Sequence, residues 1–290
     1  MKKERIRNRA LFFGLGLLFL CRSGQAADLS IKIAGGFRYG LFGDINSGLK
    51  GYLDVWRDFG TYEGATIIDK TGPLHFGADY SVDFLLSLGS SYSVGLGVGR
   101  VCMSRRSELT TLWPDERPES TAIVEATVEA VPVTISLSKY FPLHRGLSAY
   151  FTGGLEVYPA RFQSSYWPAG PGNSHHQKAR SLGLGVLYGV GLEIKAFSRV
   201  ALFFEARGNY ARIGGFEGTR RSAGSTLPYE EQGALYYYKT TINTTPGMPK
   251  EYPLLMIHET EPSEEVYGPV RSARVDFSGF ALLGGIKIYF

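Results

Sequence analysis

His75, Asp79 and Asp83 recur at intervals of four along one stretch of this chain. An imidazole and two carboxylates are groups that move protons in hydrolysis, so this spacing comes first. On a β-strand, residues i and i+4 share a face but lie roughly 13 Å apart. They cannot hydrogen-bond one another, and no serine–histidine pair is legible from spacing. His175 and His176 are two nitrogen donors in a row, yet adjacent side chains on a strand point opposite ways, and no cysteine or third ligand is near. The larger set consists of charges that alternate with apolar residues. The cations are Lys32, Arg38, Lys195, Arg207 and Lys287; the anions are Asp79, Asp83, Glu125, Glu129, Glu156, Glu193 and Glu205. Mixed signs on one face point to ion pairing that plugs an interior, because an isolated buried charge is costly. The same set lining a passage is the alternative. No catalytic residue, metal ligand or cofactor is expected from these patterns.

The elements that must hold these charges have a period of two. In the closing stretch Phe280–Phe290, Phe280, Leu282, Ile286, Ile288 and Phe290 fall on one side, and Lys287 and Tyr289 on the other. From Leu74 to Leu88 every even position is apolar, and of the odd ones only Leu85 is. The same alternation predicts strands over 29–41, 92–101, 122–140, 147–157, 182–194 and 200–210, giving eight with the last. Between 122 and 140 the apolar set passes from Val124, Ala126 and Val128 to Val133, Ile135 and Leu137. An extra residue in the ladder at Pro132 would do this. Connections alternate between short turns and long loops, the long ones at about 42–73, 102–121, 160–181 and 211–272. In the first loop Leu49, Tyr52, Leu53, Trp56 and Phe59 recur at helical spacing, which fits a short amphipathic helix at a membrane surface or capping a barrel. In the fourth, Leu235–Asn243 and Leu254–Glu259 read as an outward hairpin, with two further spanning strands, ten in all, as the alternative.

Residues 1–26 have the three parts of a secretory signal: a basic start (Lys2, Lys3, Arg5, Arg7, Arg9), an apolar run from Ala10 to Leu20, and small residues at Gly24 and Ala26. Phe19 and Leu20 before Cys21 argue against a lipid anchor. This segment holds six cations and one acid, net +5, whereas the whole chain is +4, so the remainder is about −1. The basic balance therefore belongs to the signal and gives no reason to expect nucleic acid. Cys102 is the one cysteine past residue 26, which excludes an internal disulfide in the processed chain.

Alternation alone does not say which face is inside. Glycines dominate the non-apolar face of strands three and six, which suits a narrow interior. Charges on that face at membrane depth argue the same way. The fold expected is all-β, an eight-stranded antiparallel up-and-down transmembrane β-barrel, with residues 27–290 as its domain and Tyr39, Tyr92, Tyr140, Tyr158, Tyr210 and Tyr289 as an aromatic girdle. The segments VPVTISLSKYFP (131–142), AYFTGGLE (149–156) and FFEAR (203–207), with the closing strand, resemble the outer-membrane β-barrel domain family related to the OmpA transmembrane domain and OmpW. The resemblance implies a bacterial outer-membrane location and contact with outer-membrane lipid. It also implies that Gly285, Ile288 and Phe290 form the C-terminal signal read by the barrel-assembly machinery, with Leu283 standing where the family has a polar residue. A structural or surface-interaction role without enzymatic activity is expected, through loops open to an extracellular partner. A small-molecule channel is the alternative, and an outer-membrane lipase or protease a second one.

Overall fold

Alternation of apolar and polar residues sets most of this chain into antiparallel strands that close on themselves. The computed structural model describes residues 28–169, 174–224, 228–245, 248–264 and 268–290. The expected signal, with Cys21, lies outside them. In chain order the elements are β1 (Leu29–Gly40), α1 (Gly43–Tyr62), β2 (Thr66–Lys70), β3 (Phe76–Leu88), β4 (Tyr92–Leu112), β5 (Ser120–Ala130), β6 (Val133–His144), β7 (Leu147–Trp167), β8 (Ser174–Phe197), β9 (Val200–Tyr210), β10 (Arg212–Ile213), β11 (Glu217–Ala223), β12 (Tyr229–Thr245), β13 (Met248–His258), β14 (Arg271–Ser272), β15 (Val275–Asp276) and β16 (Gly279–Tyr289). Eight of them form a ring: β1, β3, β4, β6, β7, β8, β9 and β16, each pairing with the next and β16 with β1. The hairpin of β12 and β13 pairs outside this ring, reaching it through β11 and β8.

The ring is one storey of a taller structure. β4 and β7 have 21 residues each and β8 has 24, whereas β9 and β16 have 11. The long strands run on into a second sheet, where β5 sits between β4 and β7, and β11, β12 and β13 extend from β8. The stretches 102–112, 160–167 and 174–181, expected as loops, are thus strand. The reason they escape a search for lipid-facing alternation is that their polarity is reversed. In β4, Ser93, Gly95 and Gly97 face in and Leu96 and Val98 face out; higher up, Val101, Met103 and Leu109 face in and Ser104 and Arg106 face out. In β8, Leu182 to Ile194 alternates apolar residues outward, whereas above it Gln177 and Ala179 are buried and Lys178 and Arg180 exposed.

The change at Pro132 is the same inversion and not an extra residue. Val98 faces Val133 and Val101 faces Ala130, so one register runs across the proline. The Gly99 N–H donates to the Pro132 carbonyl at 2.8 Å, and the Val131 N–H to the Pro159 carbonyl at 3.0 Å. Proline interrupts the strand only by lacking its own donor.

The upper storey has an apolar interior, as a soluble sheet does, and α1 fills it. Ile45, Leu49 and Leu53 lie on one helical face and are buried against the upper sheet with Phe162, Tyr166, Leu255 and Ile257. Asp44 in the first turn suits the helix N-terminus. Gly48 and Gly51 allow the helix backbone to approach β13, since a Cβ on either would run into Leu255 or the Pro253 carbonyl. Of the two positions the sequence allows this helix, the structure adopts the cap.

Candidate functional site

The interior of the ring is polar because every second residue of each strand points there. Three layers of hydrogen-bonded charges, with an ion pair in each, occupy it. In the lowest, Lys287 Nζ lies 3.1 Å from Glu193 Oε2 and donates to the Tyr140 hydroxyl at 3.1 Å, while the Tyr289 hydroxyl donates to Glu193. In the middle layer Glu205, with no exposed surface, accepts from Lys32, from Arg207 Nε at 2.7 Å and from the Tyr150 hydroxyl at 2.8 Å. Above it, Arg38 Nη1 donates to Asp79 at 2.9 Å, and Glu156 accepts from the Tyr158 hydroxyl at 2.5 Å, Asn209 at 2.6 Å and Thr134 at 3.1 Å. Glycines make room: a Cβ on Gly191 would run into the Tyr150 ring, and one on Gly97 into the Asp83 carboxylate. A void bordered by Lys32, Asp83, Tyr140 and Arg207 measures about 10 Å³, enough for about one water.

Of the charges picked from sequence, Lys32, Arg38, Asp79, Asp83, Glu156, Glu193, Glu205, Arg207 and Lys287 all lie buried within the ring. Glu125 and Glu129 do not. They sit on the outer surface of the upper sheet, Glu125 paired with Arg106 at 2.9 Å and Glu129 with Arg100 at 3.2 Å. Their neighbours Val124, Ala126 and Val128 take the inward face there, which the assumption of apolar-outward strands reverses. Lys195 is exposed at the ring's lower end. Three of the tyrosines expected in a girdle are interior members: Tyr158 is fully buried beside Glu156, and Tyr140 and Tyr289 reach Lys287 and Glu193. Parity decides this, since Tyr158 shares the even face of β7 with Tyr150 and Glu156. Tyr92 and Tyr210 do point outward.

His75, Asp79 and Asp83 each have separate company. His75 Nδ1 meets the Gly40 carbonyl at 2.8 Å, Asp79 holds Arg38, and Asp83 accepts from Ser81 at 3.3 Å. His176 meets Ser165 at 2.9 Å. Sequence reasoning missed Tyr150, Asn209 and Thr134 as carboxylate partners; their inward parity was the available signal.

The cap has its own polar ties. Gln177 on β8 crosses to β13, donating to the Leu255 carbonyl at 3.1 Å and accepting from the Ile257 N–H at 2.7 Å. Burial opposes the charge on Asp58, but hydrogen bonds from Lys250 and Tyr252 prevail and hold its carboxyl below the usual range. Burial pushes the Tyr52 hydroxyl up to about 12, and burial with Arg220 nearby pushes His258 down. A cavity of about 410 Å³ opens between α1 and residues 71–73, with Leu49 and Leu53 on its apolar side and Lys50 and Arg57 on its polar side.

The lowest layer carries a first expected result. Glu193→Ala leaves Lys287 buried without its carboxylate, and should lower unfolding stability by about 3 kcal/mol, the lower end for a broken buried pair. The urea midpoint of the folded protein in detergent checks this; an unchanged midpoint would mean that the pair contributes nothing.

By this geometry the chain belongs to the class of all-β antiparallel proteins that close into a ring, here with a helix-capped upper sheet. No protein-family model matches it and no curated protein does. Among solved structures it is similar to the outer membrane protein OprG from Pseudomonas aeruginosa, at 9% identity over 92% of this chain and 97% of that one, with a TM-score of 0.37. It is also similar to the outer membrane protease OmpT from Escherichia coli, at 9% identity over 92% of this chain and 99% of that one, with a TM-score of 0.29.

Proposed function

We propose that this chain is an integral bacterial outer-membrane β-barrel with eight transmembrane strands, a lumen closed by paired charges, and a capped outer sheet that serves surface interaction without catalysing a reaction. The observation that carries this reading is the polarity inversion along single, unbroken strands. The lower ring exposes Leu182, Leu184, Val190 and Ile194 on β8 and Leu96, Ile135, Leu155 and Leu202 elsewhere. A continuous apolar band of this kind is rare on a protein surface in water. The outward apolar run of β8, tilted by about 45°, covers roughly 30 Å, which matches the hydrocarbon thickness of a bilayer. Above it the same strands turn to water with ordinary soluble chemistry. Inside, the carboxylates have partners and the void bordered by Lys32, Asp83, Tyr140 and Arg207 has room for about one water, which supports a closed lumen over a passage.

Single-channel recording of the refolded chain, without residues 1–26, tests the closed lumen. Silence from folded protein is expected; steady discrete openings would replace this reading with a channel. Assembly supplies a second expected result. Phe290 points outward at the lower end of β16, its N–H donating to the Leu29 carbonyl at 3.0 Å. Deleting it should reduce folded protein in the outer membrane several-fold when the chain is produced in a bacterium. Normal levels of heat-modifiable barrel would count against Gly285, Ile288 and Phe290 as the signal for the assembly machinery.

A further inference from the structure

Just above the apolar band, the outer surface treats its cations in two ways. On β4 the outward Arg100 and Arg106 are neutralised: Arg100 pairs with Glu129 of β5 at 3.2 Å, and Arg106 with Glu125 of β5 at 2.9 Å and Glu108 at 2.6 Å. Near α1, Arg271 is held by Asp44 at 2.5 Å and Arg212 by Asp276 at 3.1 Å. On β7 and β8 the opposite holds. Arg161 stands directly across from Arg180, and Gln163 across from Lys178. All three cations are exposed, and among the described residues none makes an ion pair or a side-chain hydrogen bond. The carboxylates that register brings nearest do not neutralise them. Glu129, opposite Arg161, is engaged by Arg100, and Glu217, opposite Arg180 on β11, is not in ion-pair contact with it. Like charges directly opposite each other in an antiparallel pair are destabilising. The sheet has therefore kept one like-charge pair in this row, with neither arginine in ion-pair contact with the carboxylate on its far side.

Position explains what such an arrangement suits. Leu182 on β8, the next outward residue below Arg180, is 69% exposed, and Leu184 below it is 76% exposed. On β7, Val157 continues the apolar band below Pro159 and Arg161. Three cations thus sit where an apolar wall ends, at the height of lipid headgroups if the ring spans a bilayer. We propose that Arg161, Lys178 and Arg180 form a binding site for the phosphorylated headgroup of an outer-leaflet lipid, whose acyl chains lie along Val157, Leu182 and Leu184. This rests on the membrane reading above. The phosphate bridges Arg161 and Arg180 and relieves their repulsion, guanidinium forks being matched to phosphate oxygens. Lys178 adds a third charge from the next outward position of β8.

The test uses the refolded chain in phosphatidylcholine vesicles carrying a trace of spin-labelled lipid. The fraction of label immobilised at the protein is compared for phosphatidic acid and phosphatidylcholine. A cation at a headgroup surface favours an anionic lipid by about fivefold, so the wild-type chain should prefer phosphatidic acid at least about fivefold. The triple variant R161Q/K178Q/R180Q should bring the ratio close to one, while R106Q/E125Q, which removes a neutralised pair, should leave it unchanged. Should the triple variant refold poorly, Arg180→Gln alone should reduce the preference by about fivefold. A wild-type ratio near one, or a triple variant that keeps the preference, would overturn the site. Loss of the preference in about 10 mM inorganic phosphate would overturn the lipid as its ligand, because a free anion would then suffice. The absence of any immobilised component, with either label, would remove the membrane reading and this site together.

Discussion

Glu205→Ala should destabilise the folded chain more than any other single change in the ring interior, by about 3–5 kcal/mol. The carboxylate has no exposed surface and serves three donors at once, Lys32, Arg207 and Tyr150. Truncation leaves an ammonium and a guanidinium, each with a side chain only 9% exposed, facing one another without an anion between them. Asp83 is the remaining nearby carboxylate, and its hydrogen bond comes from Ser81. The loss should be visible as a lower urea midpoint with an unchanged slope, since the surface exposed on unfolding is the same. The double variant Lys32→Met/Glu205→Gln separates a missing partner from a missing contact. It removes one of the two charges that Glu205 balances and keeps a hydrogen-bond acceptor for Arg207, so it should recover about half of the loss. Simple additivity of the two single effects would show that Lys32 and Glu205 are not coupled, and the layered network would then be geometry without energetic weight. Bilayer recordings of the Glu205 variant should stay silent, because the Glu193–Lys287 layer below and the Arg38–Asp79 and Glu156 layer above remain in place.

The ring was legible in the sequence because its strands obey one rule throughout. Even positions of 74–88 and of 182–194 are apolar and mostly turned outward, and the charges between them point inward, so parity alone placed Lys32, Asp79, Glu193, Glu205 and Lys287. The pairing among them was not legible, since it depends on which strands are neighbours in the ring and at what stagger. Glu205 reaches Lys32 across 173 positions of sequence, and Lys287 reaches Glu193 across 94. The upper sheet escaped for a different reason. Its strands keep the parity of the ring but exchange the chemistry of the two faces, so a rule that equates apolar with outward assigns Glu125 and Glu129 to the interior and turns Pro132 into a defect. The same rule ends strands at 101, 157 and 182, where in fact only the surroundings change. A helix with Ile45, Leu49 and Leu53 on one face was readable as amphipathic. That its partner is the inner face of this sheet becomes clear only once the sheet is known to have an apolar inside.

The inversion makes one strand its own control. On β4, Leu96 and Ser104 both face outward, four outward positions apart, with Met103 facing inward in the upper storey. Leu96→Arg places an arginine inside the apolar band and should cost up to about 2–4 kcal/mol, the range reached at the bilayer midplane. Ser104→Arg makes a larger and equally charged side chain on the same face, above the band, and should stay within about 0.5 kcal/mol of the parent. Met103→Ala removes a fully buried side chain from the cap interior and should cost about 2–5 kcal/mol by leaving a cavity. Reversible unfolding of the three variants in lipid vesicles reads all of these on one scale. A soluble ring would give a different order. There the outward band would meet water, an arginine at Leu96 would be tolerated as well as one at Ser104, and only Met103→Ala would stand out. Equal tolerance at Leu96 and Ser104 would therefore refute the bilayer as the solvent of the lower ring, while leaving the packed upper storey intact. A steep loss at Leu96 beside a flat response at Ser104 would place the membrane boundary between them, at the level where Val98 gives way to Arg100.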